Sequence, residues 1–268
     1  MSFRKRLPTA LVLMSLVFLI IQFLPRAGYF LVIQLVVIGA LFEFYNLFRK
    51  KGLYPKKTIG IIFALIISLS FFFEIITLEM VLFLCLFLAA VYFVISIKRI
   101  EKLMPFPSSF AITFFGAIYL SFTLNFFYPL RVEKGPFYIY FLLTVIFLGD
   151  TGAYLLGKFW GRRKLAPMAS PKKTWEGSFG GILFAGLGAL AAQQVLLRDI
   201  VLWKALLCGI LVHAVAQFSD PFESLFKRAA GIKDSSRILP GHGGILDRVD
   251  SLILATPFFY FLINYFWK

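Results

Sequence analysis

Residues 81–97, VLFLCLFLAAVYFVISI, contain no charged side chain and almost no polar one. A bilayer-spanning helix needs about 20 mostly apolar residues, so this stretch predicts such a helix. The same character extends along the 268-residue chain, in which 60% of the residues are hydrophobic and the mean hydropathy is +0.86. Soluble domains contain only about half apolar residues. The sequence therefore predicts a membrane-embedded protein.

Charge clusters and turn residues divide the chain into nine such stretches, which predict an all-α, polytopic integral membrane protein. The predicted spans are, in chain order, Leu7–Leu24, Tyr29–Phe48, Ile59–Ile76, Val81–Ile97, Phe106–Phe127, Phe137–Leu156, Phe179–Leu197, Val201–Phe218 and Leu252–Trp267. We interpret the first as a retained span and not a cleaved signal peptide, because it is long and no small-residue cleavage site follows it.

Lys and Arg are distributed unevenly between the connections. With the N-terminus in the cytoplasm, all but six of the 28 basic residues fall on the cytoplasmic side, the exceptions being Arg26, Arg131, Lys134, Arg198, Lys204 and Lys268. Short cytoplasmic loops collect Lys and Arg. The pattern predicts a cytoplasmic N-terminus, an external C-terminus and two long cytoplasmic loops, residues 157–178 and 219–251. It explains the net charge of +15 without a nucleic-acid partner, since no soluble domain is predicted.

The polar loops and most of the clustered charges lie in the second half of the chain. We therefore predict two regions: N-terminal transmembrane helices over residues 1–136, serving as a scaffold for dimerisation or lipid access, and a catalytic transmembrane region over residues 137–268. Cys85 and Cys208 both lie inside apolar stretches and are predicted to be free thiols. Neither has the spacing of a zinc ligand.

The eighth apolar stretch continues as LVHAVAQFSDPFESLFKR, residues 211–228. Five of its polar side chains recur at intervals of three or four residues and so share one helical face: His213, Gln217, Asp220, Ser224 and Lys227. A carboxylate at the centre of a membrane helix costs about 2.5–3.5 kcal/mol on insertion scales, so this polar stripe indicates a functional surface. Pro221 is predicted to kink the helix and free carbonyl groups near Asp220.

Residues 231–250, GIKDSSRILPGHGGILDRVD, precede the last apolar stretch. Gly243 and Gly244 allow backbone N–H groups to approach an anion, and the positive end of the following helix points the same way. Asp247 and Asp250 are three residues apart, hence on one helical face. With Asp220 nearby they favour a hard cation, since Mg²⁺ takes one or two carboxylates and leaves its other positions for water and phosphate oxygens. For a single Asp, helix capping is the simpler interpretation.

The other loop follows Asp150 and contains SPKKTWEG, residues 170–177. Lys172 and Lys173, together with the Thr174 hydroxyl, suit a polyphosphate. An ordinary basic cytoplasmic loop is the alternative. Carboxylates for a metal, glycines for an anion and lysines for phosphate together predict phosphoryl or nucleotidyl transfer at the membrane surface.

These segments resemble the signature of a known family, the phosphatidate cytidylyltransferases, also called CDP-diacylglycerol synthases. The similarity covers about residues 149–251, and the segments that carry it are Asp150-Thr151 with Ala153-Tyr154, residues 170–177, SLFKR at 224–228, Lys233-Asp234 and PGHGGILDRVD at 240–250. Two positions depart from the family pattern. Ser219 stands where Gly is usual, and Pro221 where an aliphatic residue is usual.

The resemblance implies that CTP and phosphatidate are converted to CDP-diacylglycerol and pyrophosphate with Mg²⁺, and a second cation, at the cytoplasmic face of a prokaryotic membrane. It implies a homodimer, metal ligation by Asp220 and Asp247 with Asp250 and Asp150 as further ligands, and catalytic roles for Lys172 and Lys173. The substrate-binding residues that it implies are Ser170, Lys172, Lys173, Thr174, Glu176, Ser224, Lys227, Arg228, Lys233, Asp234, Arg237, His242, Gly243, Gly244 and Arg248.

Two other functions use similar residues. A CTP-dependent lipid-alcohol kinase would transfer the γ-phosphoryl group instead of the nucleotidyl group. An ion transporter would use the stripe from His213 to Asp220 as its pathway, but the charges gather at one face of the membrane, whereas transporter sites usually lie near its midplane.

Overall fold

The computed structural model of the protein describes residues 3–49, 51–73, 76–236 and 243–266. Arg237 and His242, both predicted to bind substrate, lie outside the described residues.

The described chain is almost entirely helical. Its α-helices are, in chain order, α1 (Phe3–Phe23), α2 (Arg26–Arg49), α3 (Lys57–Phe73), α4 (Leu78–Ser96), α5 (Phe106–Ala117), α6 (Phe127–Pro129), α7 (Pro136–Trp160), α8 (Trp175–Leu196), α9 (Leu202–Ala229) and α10 (Leu246–Phe266). Ile100–Lys102 forms a 3₁₀-helix, and Ile118–Phe122 and Leu130–Lys134 are π-helical. The predicted α-helical class is therefore confirmed in its main feature.

One feature of the fold was not predicted. Strands β1 (Lys164–Ala166) and β2 (Ser170–Thr174) pair antiparallel within the loop between α7 and α8. Strands this short carry too few residues for a period-two pattern to stand out in the sequence.

Seven described helical segments are long and apolar enough to cross a membrane: α2, α4, Phe106–Lys134, α7, α8, α9 and α10. Val12–Phe23 and α3 are shorter apolar helices. Large apolar side chains such as Phe83 and Val94 on α4 are exposed on the protein surface, which suits contact with lipid and not with water. The chain is an integral membrane protein.

Most predicted spans differ by a few residues from the helices observed, and two of these differences concern helix ends that carry predicted site residues. The helix predicted to end at Phe218 continues through Pro221 to Ala229, and the last helix begins at Leu246 instead of Leu252. Hydropathy marks only the apolar part of a helix, so polar turns at its end are missed. Both extensions bring predicted site residues into regular helix.

The chain forms two compact units: the first comprises Met1–Tyr128 and Asp234–Arg248, and the second Pro129–Lys233 and Val249–Lys268. In the first unit, α3 packs against α2, α4 and α5. The Tyr45 ring is fully buried, its hydroxyl donates to the Thr113 carbonyl at 2.6 Å, and Gly60 leaves room for that ring. Cys85 is buried and free here, as Cys208 is in the second unit.

In the second unit, α7 packs along α8, and α8 also contacts α9. The α7–α8 contact is close because glycines face it. A Cβ on Gly152 would lie 2.5 Å from the Phe184 Cβ, and one on Gly177 would lie 2.8 Å from the Ala153 carbonyl oxygen. Small residues allow membrane helices to approach closely. The packing brings the end of α7 next to the first turn of α8, where the polar side chains of this unit gather.

Candidate active site

A cavity of about 510 Å³ opens in the second unit between α7, the hairpin, α8 and α9. Its volume falls within the range of about 300–1,000 Å³ that is usual for small-ligand pockets. The charged and polar residues that line it include Asp150, Lys158, Lys172, Lys173, Gln217 and Asp220. Predicted site residues from three separate sequence segments therefore share one cavity: Asp150, then Lys172, Lys173 and Thr174, and Asp220.

Lys173 and Asp220 form an ion pair in this cavity. The distance from Lys173 Nζ to Asp220 Oδ2 is 2.8 Å, and both side chains are about one-third exposed. Lys173 Nζ also donates to the Gln217 carbonyl at 3.5 Å. In a regular helix the amide of residue 221 would bond this carbonyl, but Pro221 has no N–H. The predicted freeing of a carbonyl by Pro221 thus provides Lys173 with a second partner.

Two further carboxylates belong to the same charge cluster. Those of Asp150 and Asp250 each interact electrostatically with both Asp220 and Lys173. Within the described ranges, no group of three or more His, Cys, Asp or Glu side chains is placed to hold a metal ion. Mg²⁺ typically takes only one or two protein carboxylates and completes its coordination with water and phosphate oxygens. Carboxylate oxygens are ligands that a hard cation prefers. In this structure the Lys173 ammonium neutralises part of the negative charge of these carboxylates.

The polar stripe of α9 faces the protein interior. His213, Gln217, Ser224 and Lys227 are all buried, whereas Phe218, on another face of the helix, is exposed. The predicted placement on one face is confirmed. If the polar residues did not follow the helical repeat, some of their side chains would lie among the exposed apolar ones.

Two members of the stripe have partners on α9 itself. The Ser224 hydroxyl donates to Asp220 Oδ1 at 3.3 Å, and Lys227 Nζ lies 2.6 Å from Glu223 Oε2. Glu223, fully buried, was not predicted as a site residue. A charge is buried at acceptable cost only when it is paired or hydrogen-bonded, so the Glu223 carboxylate is the group that allows Lys227 to be buried. Substrate binding by Ser224 and Lys227 stays a prediction.

Ser219, one of the two departures from the family pattern, is fully buried. Its hydroxyl donates to the Asp250 backbone carbonyl and accepts the Leu254 N–H at 3.3 Å. These two backbone groups are four residues apart and would bond each other in an undisturbed helix. The Ser219 hydroxyl therefore bonds both backbone groups of this helical pair in α10.

The loop between α7 and α8 is held by its own predicted site residues. Thr174 caps α8 by accepting the Gly177 N–H at 3.2 Å. The Glu176 carboxylate accepts the backbone N–H groups of Arg162 at 2.9 Å and Arg163 at 3.2 Å. Both side chains have structural roles here, and their contact with substrate stays a prediction.

Other predicted substrate-binding residues lie on or near these segments. Arg228 Nε donates to the Ala169 carbonyl at 3.3 Å, which ties the end of α9 to the hairpin turn. Ser170 begins β2, and Lys172 on the same strand is exposed. Lys233, Asp234 and Arg248 are exposed as well.

In the first unit, Asp247 stands in the first turn of α10. Its Oδ2 atom lies within hydrogen-bond distance of three groups: the Ser235 N–H at 2.9 Å, the Ser235 hydroxyl at 2.8 Å and the Gly244 N–H at 2.9 Å. Gly243 has a φ of +81°, a value that favours glycine. These three donors precede α10, so they do not decide between metal ligation and helix capping for Asp247.

Sequence reasoning missed Glu43 as a member of this cluster. Its carboxylate is buried, and the Ile245 and Leu246 N–H groups at the start of α10 donate to it. The anion that these amides meet in the structure is thus a side chain of the protein itself. One signal was present, because an acidic residue inside an apolar helix is costly unless it has a partner or a function.

The family of the chain follows from comparison with known proteins. The model of the cytidylyltransferase family matches residues 4–266. The chain belongs to this family, as the sequence motifs indicated.

Individual relatives carry a more specific name than the family does. A phosphatidate cytidylyltransferase of Bacillus subtilis (strain 168) is 36% identical over 263 residues, which cover 95% of this chain and 96% of that protein. Proteins of the same name from Staphylococcus epidermidis and Haemophilus influenzae are 46% and 41% identical over 139 and 141 residues. Those matches span about half the length of each relative, 53% and 49%, and 52% and 48% of this chain.

The Lys173–Asp220 ion pair can be tested by a double-mutant cycle. Lys173→Met and Asp220→Asn each remove one charge at nearly constant shape, so the two losses in unfolding free energy should not add. We expect a coupling energy of about 1 kcal/mol, since the pair is partly exposed. Thermal or denaturant unfolding of the four proteins in detergent measures it. Lys172→Met is the matched control, and its effect should add to that of Asp220→Asn. If the losses in unfolding free energy caused by Lys173→Met and Asp220→Asn add, this result contradicts the observed ion pair.

Proposed function

We propose that this protein transfers the cytidylyl group of CTP to phosphatidate, giving CDP-diacylglycerol and pyrophosphate. The observation that carries the proposal is the cavity lined by Lys172, Lys173, Asp150 and Asp220, in which the Lys173 ammonium and the Asp220 carboxylate form an ion pair at 2.8 Å. Such a cavity offers cations to the phosphates of a nucleotide and carboxylates to a metal. Membership of the cytidylyltransferase family and the names of the relatives support the same reaction.

In this reaction a phosphate oxygen of phosphatidate attacks the α-phosphorus of CTP. A new bond forms between these two atoms, the bond from the α-phosphorus to the oxygen that bridges it to the β-phosphorus breaks, and pyrophosphate leaves with the electron pair. A phosphate monoester is largely ionised near neutral pH. The attacking oxygen therefore needs no general base, and the task of the protein is to position two anions and neutralise their charge.

Lys172 and Lys173 are proposed to hold the phosphates of CTP. Both line the cavity, and the Lys173 ammonium is held by Asp220 and by the Gln217 carbonyl. Ammonium groups fixed in this way stabilise negative charge as it shifts to the leaving pyrophosphate. Since Lys173 has protein partners, a bound nucleotide would compete with them for its hydrogen-bond donors.

Asp220 is proposed to ligate Mg²⁺, with Asp150 and Asp250 as further carboxylates that interact with it electrostatically. Their mutual electrostatic interaction disfavours three uncompensated negative charges, which a divalent cation would offset. When bound, Mg²⁺ supplies charge neutralisation and orientation of the phosphates. The proposal includes a second cation bound at the same site. Asp247 is proposed as a further essential carboxylate of the reaction, held by the hydrogen bonds to its Oδ2 atom.

The topology belongs to the proposal as well. The seven long apolar helices and the two shorter ones correspond in position to the nine predicted spans. With nine spans, the uneven distribution of Lys and Arg favours a cytoplasmic N-terminus, an external C-terminus and an active site open to the cytoplasm, where CTP is available.

The reaction is tested by following isotope labels. Purified protein incubated with phosphatidate, Mg²⁺ and CTP labelled at the α-phosphorus should transfer the label to the lipid extract, and omission of Mg²⁺ should abolish the transfer. With CTP labelled at the γ-phosphorus the lipid should stay unlabelled. A lipid-alcohol kinase would instead label diacylglycerol, supplied in place of phosphatidate, from γ-labelled and not from α-labelled CTP, because phosphatidate has no free hydroxyl group to accept the γ-phosphoryl group. Cation flux into liposomes without any lipid labelling would favour a transporter.

The role of the lysines predicts a loss of nucleotide affinity or turnover. Replacing both Lys172 and Lys173 by Gln removes two positive charges from the cavity, so kcat/KM for CTP should fall at least tenfold, about 1.4 kcal/mol in barrier. Steady-state kinetics with varied CTP measures it. Lys164→Gln, at an exposed residue of β1, is the control and should change kcat/KM little. Unchanged kinetics in a folded double variant would mean that the lysines serve only the loop.

The topology predicts that both polar loops face the cytoplasm. Single cysteines introduced at Ser170 and at Asp234, in a protein lacking Cys85 and Cys208, should react with a membrane-impermeant thiol reagent only in inside-out vesicles. Reaction of the two positions from opposite sides of the membrane would refute the nine-span arrangement.

A further inference from the structure

Glu43 is a buried carboxylate in the middle of an apolar helix. Only 1% of the residue is exposed, and four donors surround its two oxygens. Oε1 accepts from the Ser236 hydroxyl at 2.6 Å and from the Ile245 N–H at 3.1 Å. Oε2 accepts from the Leu246 N–H and lies near the Ser235 hydroxyl, both at 2.8 Å. Neither of the two ion pairs recorded among the described residues involves Glu43.

These donors place the Glu43 carboxylate at the N-terminus of α10. Leu246 is the first residue of this helix, and its N–H group is one of those that have no partner inside a helix. A negative charge at this end is stabilised by the helix dipole. Glu43 is therefore a capping group that comes from a helix about 200 residues away in the chain and fixes where α10 begins.

Ser235 connects Glu43 to Asp247. The Ser235 hydroxyl lies 2.8 Å from Glu43 Oε2 and 2.8 Å from Asp247 Oδ2, and its single hydrogen can be donated to only one of them at a time. The Ser235 N–H and the Gly244 N–H also donate to Asp247 Oδ2. Both carboxylates thus bind the same two short segments, residues 235–236 and 244–246.

Gly244 shows how tightly the cluster is packed. A Cβ at this position would overlap both the Ser235 hydroxyl and the Glu43 carboxylate. Glycine is required here to make room for these two side chains. This is a role within the protein, separate from the close approach of a phosphate that the sequence predicted.

We propose that Glu43 is a positioning residue for Asp247. By holding Ser235 and the first amides of α10, Glu43 fixes the backbone from which the Asp247 carboxylate projects and the hydroxyl that contacts it. The inference rests on the proposed function, in which Asp247 is an essential carboxylate. It assigns a role in turnover to a residue of the N-terminal helices, outside the segments that carry the family resemblance.

Glu43→Gln is an informative substitution because each oxygen of Glu43 accepts a backbone N–H. Whichever way the amide of Gln is turned, its NH₂ group faces one of the N–H groups of Ile245 and Leu246, and one donor loses its acceptor. We expect kcat to fall at least tenfold while KM for CTP changes less than about threefold, because Asp247 is displaced but the CTP cavity keeps its own residues.

Ser235→Ala and Ser236→Ala form a matched pair. Each removes one hydroxyl that contacts Glu43, and the Ser235 hydroxyl also contacts Asp247. A positioning role predicts that Ser235→Ala lowers kcat several-fold more than Ser236→Ala at a similar change in melting temperature. It also predicts that Glu43→Gln and Ser235→Ala combined lower kcat by less than the product of their separate effects. The milder serine variants keep the inference testable if Glu43→Gln does not fold.

The experiment compares kcat, KM and melting temperature of these variants with those of the wild-type protein in the α-labelled CTP assay, together with hydrogen–deuterium exchange of residues 243–248. A kcat of Glu43→Gln within threefold of the wild-type value, or equal effects of the two serine variants, would overturn the inference while leaving the proposed function intact. If the wild-type protein transfers no label, the proposed function fails. The exchange data then decide: faster exchange in Ser235→Ala than in Ser236→Ala supports the positioning of this segment, and equal exchange overturns it.

Discussion

A carboxylate buried among membrane helices must find its donors or its counter-charge within the protein, because lipid supplies neither. Two acidic residues show two different solutions. Asp220 is paired with the Lys173 ammonium in a cavity, where a ligand or a cation can replace that partner. Glu43 is almost completely buried and is surrounded by hydroxyl and amide donors, so a ligand or a cation has no access to replace these donors. The ion pair of Asp220 suits the binding of a ligand or a cation, whereas the buried hydrogen bonds of Glu43 suit a structural role.

The backbone of the helices also contributes polar groups where the ladder of hydrogen bonds is interrupted. Pro221 withholds an N–H from the Gln217 carbonyl, which then accepts from Lys173. The Ser219 hydroxyl donates to the Asp250 carbonyl and accepts the Leu254 N–H. These are the two positions at which the sequence departs from the family pattern. In this structure both act on backbone groups beside the acidic cluster, and α9 continues through both positions to Ala229.

The predictions that succeeded depend on periodicity and composition. The stripe on α9 was visible in the sequence because a helix repeats every 3.6 residues, and the structure buries that face. The membrane class followed from apolar runs, which lipid requires whatever the tertiary packing. The β-hairpin at residues 164–174 was missed because its strands are too short for a pattern. Glu223 and Glu43 were missed as site residues because a single acidic residue in a helix gives no indication of its partner.

The sequence by itself determined that the chain is helical and membrane-embedded, that its charges gather in two loops, and that it resembles the cytidylyltransferases. These properties are local, since each can be established from a short window of residues. Only the tertiary structure decided which groups meet, because Ser235 and Glu43 are 192 residues apart in the chain, and Lys173 and Gln217 are 44 apart. Contacts over such distances depend on how the helices pack, and that packing is set by many small side-chain fits that no single segment encodes.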